Sequence, residues 1–154
     1  MTLRFVRISL AAACATLVAA ACGGTSSNNG PTGPTPAELA GTYNLVSFNW
    51  SLCPGTLGPT TSPAATGTLV LTAGSNGAPN TYDSQISIPD GPAGCEPPHD
   101  QGTFTVTDTV WNQTSSTQGG LQLQGTVSLS AGGQLKLNVI PPVVGAVATV
   151  WQRQ

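Results

Sequence analysis

Leu121–Leu129 (LQLQGTVSL) and, after a Gly-containing turn, Gln134–Val139 (QLKLNV) decide the fold class of this chain. In the first stretch Leu121, Leu123, Val127 and Leu129 fall on one side of an extended strand, while Gln122, Gln124, Thr126 and Ser128 fall on the other. The second stretch repeats the period with Leu135, Leu137 and Val139. Apolar residues at every second position suit a strand with one buried face, and a helix cannot sort them that way.

Six further segments read alike. Gly41–Trp50 (GTYNLVSFNW) is rich in aromatic and β-branched residues, and Gly67–Thr72 (GTLVLT) follows it. Thr81–Ile88 sets Tyr82, Ile86 and Ile88 against Asp83, Gln85 and Ser87. Gly102–Thr107 turns Phe104 and Val106 inward, Thr109–Gln113 carries Trp111, and Gly145–Arg153 runs through Val147, Thr149 and Trp151. The expectation is an all-β domain: a small eight-stranded antiparallel up-and-down barrel, which leaves no exposed edge. The alternative is a β-sandwich of immunoglobulin type. That fold places a Trp between two strand-borne cysteines, whereas no Trp lies between Cys53 and Cys95 and both sit in loops.

Strict up-and-down order brings Ser51–Thr66, Pro89–Gln101, Thr114–Gly120 and Ile140–Val144 to one end of the barrel. The turns around Asp108, Ala131–Gly133 and Ala73–Asn80 share the other. Cys53 and Cys95 then meet at the loop-rich end, independently of any assumption about their pairing.

Composition narrows the function. Charged residues are 6% of the chain, against about 25% in an ordinary soluble domain. Arg4 and Arg7 lie in the N-terminal leader, so only Lys136 and Arg153 remain as cations beyond it. All six acids (Glu38, Asp83, Asp90, Glu96, Asp100, Asp108) also lie beyond it. An acidic chain without a basic stripe does not neutralise phosphates, and nucleic acid is not an expected partner.

The N-terminus pairs a positive segment, Met1–Arg7, with an apolar run from Ile8 to Val18 and the small residues Ala19–Ala20–Ala21 before Cys22. This is the pattern of a secretory signal, too short for a membrane span. Leu17–Gly23 (LVAAACG) resembles a bacterial lipobox. The resemblance implies cleavage after residue 21, lipidation of Cys22 and membrane attachment through that lipid anchor. Gly23 after the cysteine implies the outer membrane, on its periplasmic face or at the cell surface. Ala19-x-Ala21 also satisfies an ordinary signal peptidase, which would release a secreted protein. Residues 22–37, with the Gly/Ser/Pro/Thr-rich stretch GGTSSNNGPTGPTP, read as a tether, and 38–154 as the folded domain. Cys14 leaves with the leader, so Cys53 and Cys95 remain as an expected disulfide in an oxidising compartment, with two separate buried thiols as the other reading.

Leu39–Ser47 (LAGTYNLVS) resembles the Gly-x-Trp opening of bacterial lipocalin-like domains, with Tyr43 in the Trp position. Gly102–Thr103–Phe104 is similar to their mid-chain Gly-x-Tyr step, and Val150–Arg153 (VWQR) to their last strand, although no C-terminal helix follows. The resemblance implies a late Arg packed over the opening aromatic ring, here Arg153 over Tyr43.

Chemistry is sparse. The one histidine, His99, shares a proline-stiffened loop with Asp90, Glu96 and Asp100, and its spacing matches no zinc or calcium motif. No Gly-x-Ser-x-Gly elbow and no phosphate loop occur. No catalytic residue, metal or cofactor is expected, and the protein is read as a monomer and not as an enzyme. The leading expectation is a barrel that binds a small hydrophobic or amphipathic ligand. Its cavity would be lined by the aliphatic Leu45, Ile86, Val106, Leu123 and Leu137 and the aromatic Tyr43, Phe104 and Trp151. An eight-stranded barrel is just wide enough to hold one small ligand or to be filled by its own side chains, so a filled barrel serving as an envelope scaffold or protein-interaction module is the alternative.

Overall fold

The computed structural model describes residues 33–53, 55–140 and 145–154. The leader, Cys22 and residues 23–32 of the tether lie outside the described residues, as do residues 141–144 of the last loop. A short helix, α1 (Pro36–Leu39), is followed by β1 (Gly41–Trp50), β2 (Thr56–Leu57), β3 (Thr66–Thr72), β4 (Asn80–Ser87) and β5 (Asp100–Thr107). The chain continues through β6 (Val110–Ser115), β7 (Gln122–Leu129), β8 (Gln134–Ile140) and β9 (Val147–Arg153). Every pairing is antiparallel, from β1–β3 and β3–β4 onward to β8–β9, and β9 returns to pair with β1. The result is a closed eight-stranded up-and-down barrel with one added strand, and not a sandwich.

The added strand, β2, pairs Leu57 with Phe48 and Thr56 with Asn49. It continues the edge of β1 beyond the point where β3, which pairs only with Gly41–Asn44, has left it. Two residues inside a Gly/Pro-rich loop carry no period, which is why the sequence read this segment as loop.

Strand β1 is the one place where simple alternation fails. Tyr43 and Leu45 are buried, but so are Phe48 and, in part, Trp50, which have the opposite parity. A register shift against β9 between Leu45 and Ser47 reconciles the two sets. The bulged residue resets the phase, so both halves of the strand face inward and the strand bends with the barrel wall. Val46 is left exposed.

Outward positions are mostly polar: Gln122, Gln124, Thr126 and Ser128 on β7 are all exposed, as are Lys136 and Asn138 on β8, with Val46, Val70, Val110 and Ile140 as apolar exceptions. Leu69 and Leu71 of β3, Leu135 and Leu137 of β8 and Trp151 of β9 point inward and are buried. This is the reverse of a membrane-spanning barrel, whose apolar band faces lipid.

One end of the barrel is plugged. Thr35 caps α1 with its hydroxyl on the Glu38 amide, and the Glu38 carboxylate reaches back to the Thr35 amide at 2.7 Å, completing a capping box. The Thr35 amide, and then the Thr35 hydroxyl, which donates to the same carboxylate at 2.8 Å, hold the Glu38 carboxyl below its usual range. Secondary structure therefore begins a few residues before Glu38, the first residue of the expected domain. Leu39 is fully buried under α1, and the Tyr43 hydroxyl donates to its carbonyl at 2.6 Å. Arg153, opposite Tyr43 across β1–β9, donates from Nη2 to the same hydroxyl at 2.7 Å and also to the Glu38 carbonyl. Its guanidinium carbon lies 5.2 Å from the Tyr43 ring centre. The expected Arg–aromatic contact is present, with hydrogen bonds to the hydroxyl added to the cation–π term.

At the other end Cys53 and Cys95 form a disulfide with Cα atoms 5.3 Å apart, closing a separation of 42 residues. By unfolded-state entropy a loop of that length contributes about 4 kcal/mol.

Closure also demands close approach of neighbouring backbones. A methyl group added at Gly125 of β7 would lie 1.9 Å from the Asn138 carbonyl oxygen of β8. Gly125→Ala is expected to force the two strands apart and to lower stability by about 1–3 kcal/mol, as seen in denaturant unfolding. A substitution at Gly132, where the nearest atom is 3.9 Å away, serves as the control and should cost less.

Candidate ligand-binding cavity

The half of the barrel nearer the disulfide encloses a cavity of about 330 Å³. That is at the small end of the range for small-molecule sites, about 300–1,000 Å³. Phe48 and Trp50 of β1, just past the bulge, form one side, and Leu69 of β3 also lines it. Tyr82, Ser84 and Ile86 alternate along β4. Trp111 and Gln113 of β6, Leu123 of β7, and Leu137 and Val139 of β8 continue the wall. Val147, Thr149 and Trp151 of β9 complete the ring, and Pro97, Pro98, Gln118 and Leu121 form the rim.

Of the residues read from the sequence as lining, Ile86, Leu123, Leu137 and Trp151 stand on this wall. Tyr43, Leu45, Phe104 and Val106 do not, and their placement is corrected. They face inward as expected, but they belong to the first half of β1 and the second half of β5, which lie toward the plugged end, and they join the packed core. Phe104 backs the wall, stacked on Trp111 with ring centres 4.4 Å apart and planes 12° from parallel. Alternation identifies which side of a strand a residue faces but not its height along the barrel axis.

Most polar groups on the wall bond to one another. The Trp111 indole N–H donates to Gln113 Oε1 at 2.8 Å, and the Trp151 indole N–H to Thr149 Oγ1 at 2.7 Å. In both cases the acceptor is two residues away on the same strand, hence on the same face. Asp100, buried at the start of β5, receives Ser115 and Thr117 hydroxyls on Oδ1 at 2.5 and 2.9 Å. On Oδ2 it receives the Tyr82 hydroxyl at 2.8 Å and Gln113 Nε2 at 3.3 Å. Gln113 also donates to the Tyr82 hydroxyl at 3.2 Å. Sequence reading treated Asp100 as one more solvated loop acid. Counting back by twos from Phe104 through Gly102 would have turned it inward.

His99 does not join this cluster. It pairs with Asp83 at 2.7 Å on the outer surface, where Gln101 also donates to Asp83 at 2.9 Å. Asp90, its expected loop neighbour, is not its partner. Among the described residues no group of three or more His, Cys, Asp or Glu converges as metal ligands do.

No protein-family profile matches the chain, and no curated protein sequence does. Among solved structures it is similar to a redesigned β-barrel, with 19% identity and a TM-score of 0.54 over 79% of this chain and 96% of that one. It is also similar to a variant of the fluorescent protein UnaG, with 12% identity and a TM-score of 0.42 over 75% and 95% of the two chains. The first likeness supports the barrel fold and nothing finer.

Burial, then the hydrogen bond to Asp100 and its negative charge, push the Tyr82 phenol well above its ordinary value of 10.0. A raised value in the folded state means that the neutral phenol stabilises the fold fully below about pH 10, and that this contribution is lost as pH rises further. Tyrosinate absorbance during an alkaline titration should therefore show a late step that coincides with unfolding. The amplitude of that step should fall in Tyr82→Phe.

Proposed function

We propose that this protein is a non-catalytic, lipid-anchored envelope protein that carries a small, predominantly apolar ligand in the barrel. The observation that supports this most is the cavity itself. A barrel of eight strands can be filled by its own side chains; here the plugged half is filled, while the half beneath the loops is hollow and walled by aromatic and aliphatic residues. The lipocalin-like opening, mid-chain and closing segments point the same way.

The envelope setting draws on two supports. A structural disulfide belongs to an oxidising compartment. The lipobox-like Leu17–Gly23 stretch supplies the anchor at Cys22, with the tether lifting the barrel clear of the bilayer. On this reading His99 and Asp83 are a surface pair and do no chemistry, and the protein acts as a monomer.

Native mass spectrometry of the protein, exported, oxidised and purified gently, is expected to show a co-purifying small molecule, or uptake of one from an envelope lipid extract. A protein that stays empty under both conditions would overturn the carrier reading and leave the scaffold. Leu123→Trp, which adds volume on the cavity wall at a half-buried position, is expected to abolish uptake while the barrel still unfolds cooperatively. Cys22→Ser is expected to move the protein from the membrane fraction to the soluble one; continued sedimentation with membranes would remove the anchor from the proposal.

A further inference from the structure

We infer that the cavity is selective for electroneutral ligands and excludes anions, so that a free carboxylate or sulfonate of otherwise suitable shape is rejected. This rests on the carrier reading above and specifies the ligand class of that same site.

Three observations carry it. First, among the described residues no cation lines the cavity. Beyond the leader the chain has only Lys136 and Arg153. Lys136 is on the outer face of β8, and Arg153 is committed to Tyr43 and the Glu38 carbonyl at the plugged end. His99 pairs with Asp83 outside the wall.

Second, the one charged group on the wall is negative. Asp100 takes four side-chain donors, two on each oxygen, which fills the acceptor capacity of an ionised carboxylate. All four donors are neutral groups, so no opposite charge balances the carboxylate. A second anion brought beside it would add repulsion to its own desolvation cost.

Third, most of the strong donors on the wall are already engaged by the protein. Of the three wall indoles, those of Trp111 and Trp151 donate to protein partners, as do the Tyr82 hydroxyl and the Gln113 amide. Among the described residues no buried side-chain nitrogen or oxygen is left without a partner. Ser84 contributes a hydroxyl to the wall, enough to meet an alcohol or carbonyl but not to balance a charge. The rim adds to the discrimination, since Asp90 and Glu96 are exposed in the loop between β4 and β5 that borders the mouth.

The test is calorimetric titration of the oxidised full-length protein at neutral pH with decanol, decylammonium and decanoate, which share a chain and differ in head-group charge. Decanol is expected to bind at least tenfold more tightly than decanoate, and decylammonium more tightly than decanoate, because the two ions lose comparable hydration but only the anion meets repulsion. Decanoate binding as tightly as decanol or decylammonium would overturn this inference and leave the carrier reading intact. Failure of all three to bind, in a protein that also stays empty with lipid extract, would overturn both.

Discussion

Pairing of β9 with β1 is the constraint on which the rest of the structure depends. Without it the molecule is an open sheet with two edges and an apolar face on water; with it every strand of the ring has two neighbours. The last strand must meet the first along nearly its whole length, from Tyr43 opposite Arg153 to Trp50 opposite Val147. A straight strand with a single phase could not do this while also keeping Tyr43, Leu45, Phe48 and Trp50 inside. The bulge between Leu45 and Ser47 resolves the conflict by adding one residue, which bends β1 and changes which parity faces the interior. It also divides the interior. Residues before it belong to the filled end and residues after it to the cavity.

The two ends are held by different physics. At the plugged end a four-residue helix would not persist alone. It is fixed by its capping box and by burial of Leu39, and Arg153 draws the chain's last strand onto the helix carbonyl and the Tyr43 hydroxyl. At the mouth the segments are long and rich in Gly and Pro, and only a few of their residues, Leu57, Ala65 and Ile88 among them, are buried in the core. There a covalent bond between Cys53 and Cys95 is added to that packing, and acts chiefly by restricting the unfolded chain. The loops can then frame an opening without collapsing into it.

Much of this was legible in the residues. Leu121–Leu129 and Gln134–Val139 announce their strands by alternation alone, and strict up-and-down order was enough to bring Cys53 beside Cys95. Arg153 against Tyr43 came from a resemblance and not from any pattern. What was lost has common causes. The two-residue β2 is too short to show a period. The bulge is a one-residue event that alternation can signal only as an inconsistency, visible here as the opposite parities of Leu45 and Phe48. Depth along the barrel axis has no sequence period, so Tyr43, Leu45, Phe104 and Val106 could be sorted inward but not assigned to the filled end. Asp100 was missed because an acid beside Pro97, Pro98 and His99 resembles loop, although it opens β5 on the inward phase.

Asp100 explains how a cavity wall can contain a buried charge that serves no ligand. Its donors come from β4, from β6 and from the turn that follows β6, so one carboxylate joins three separate parts of the mouth. Ser115, which donates to it, also accepts the Gln118 amide, and the Ser116 amide bonds the Gln101 carbonyl beside it. The turn between β6 and β7 is thus fastened to the beginning of β5, close to where the loop bearing Cys95 ends. Removing a single donor would leave a buried carboxylate under-satisfied, which costs more than the net gain from any one of these bonds. The network is therefore all-or-none, and it fixes a rim whose own sequence would otherwise leave it loose. The same saturation that makes Asp100 a good tie makes it a poor ligand contact, which is why its charge bears on the cavity by repulsion and not by binding.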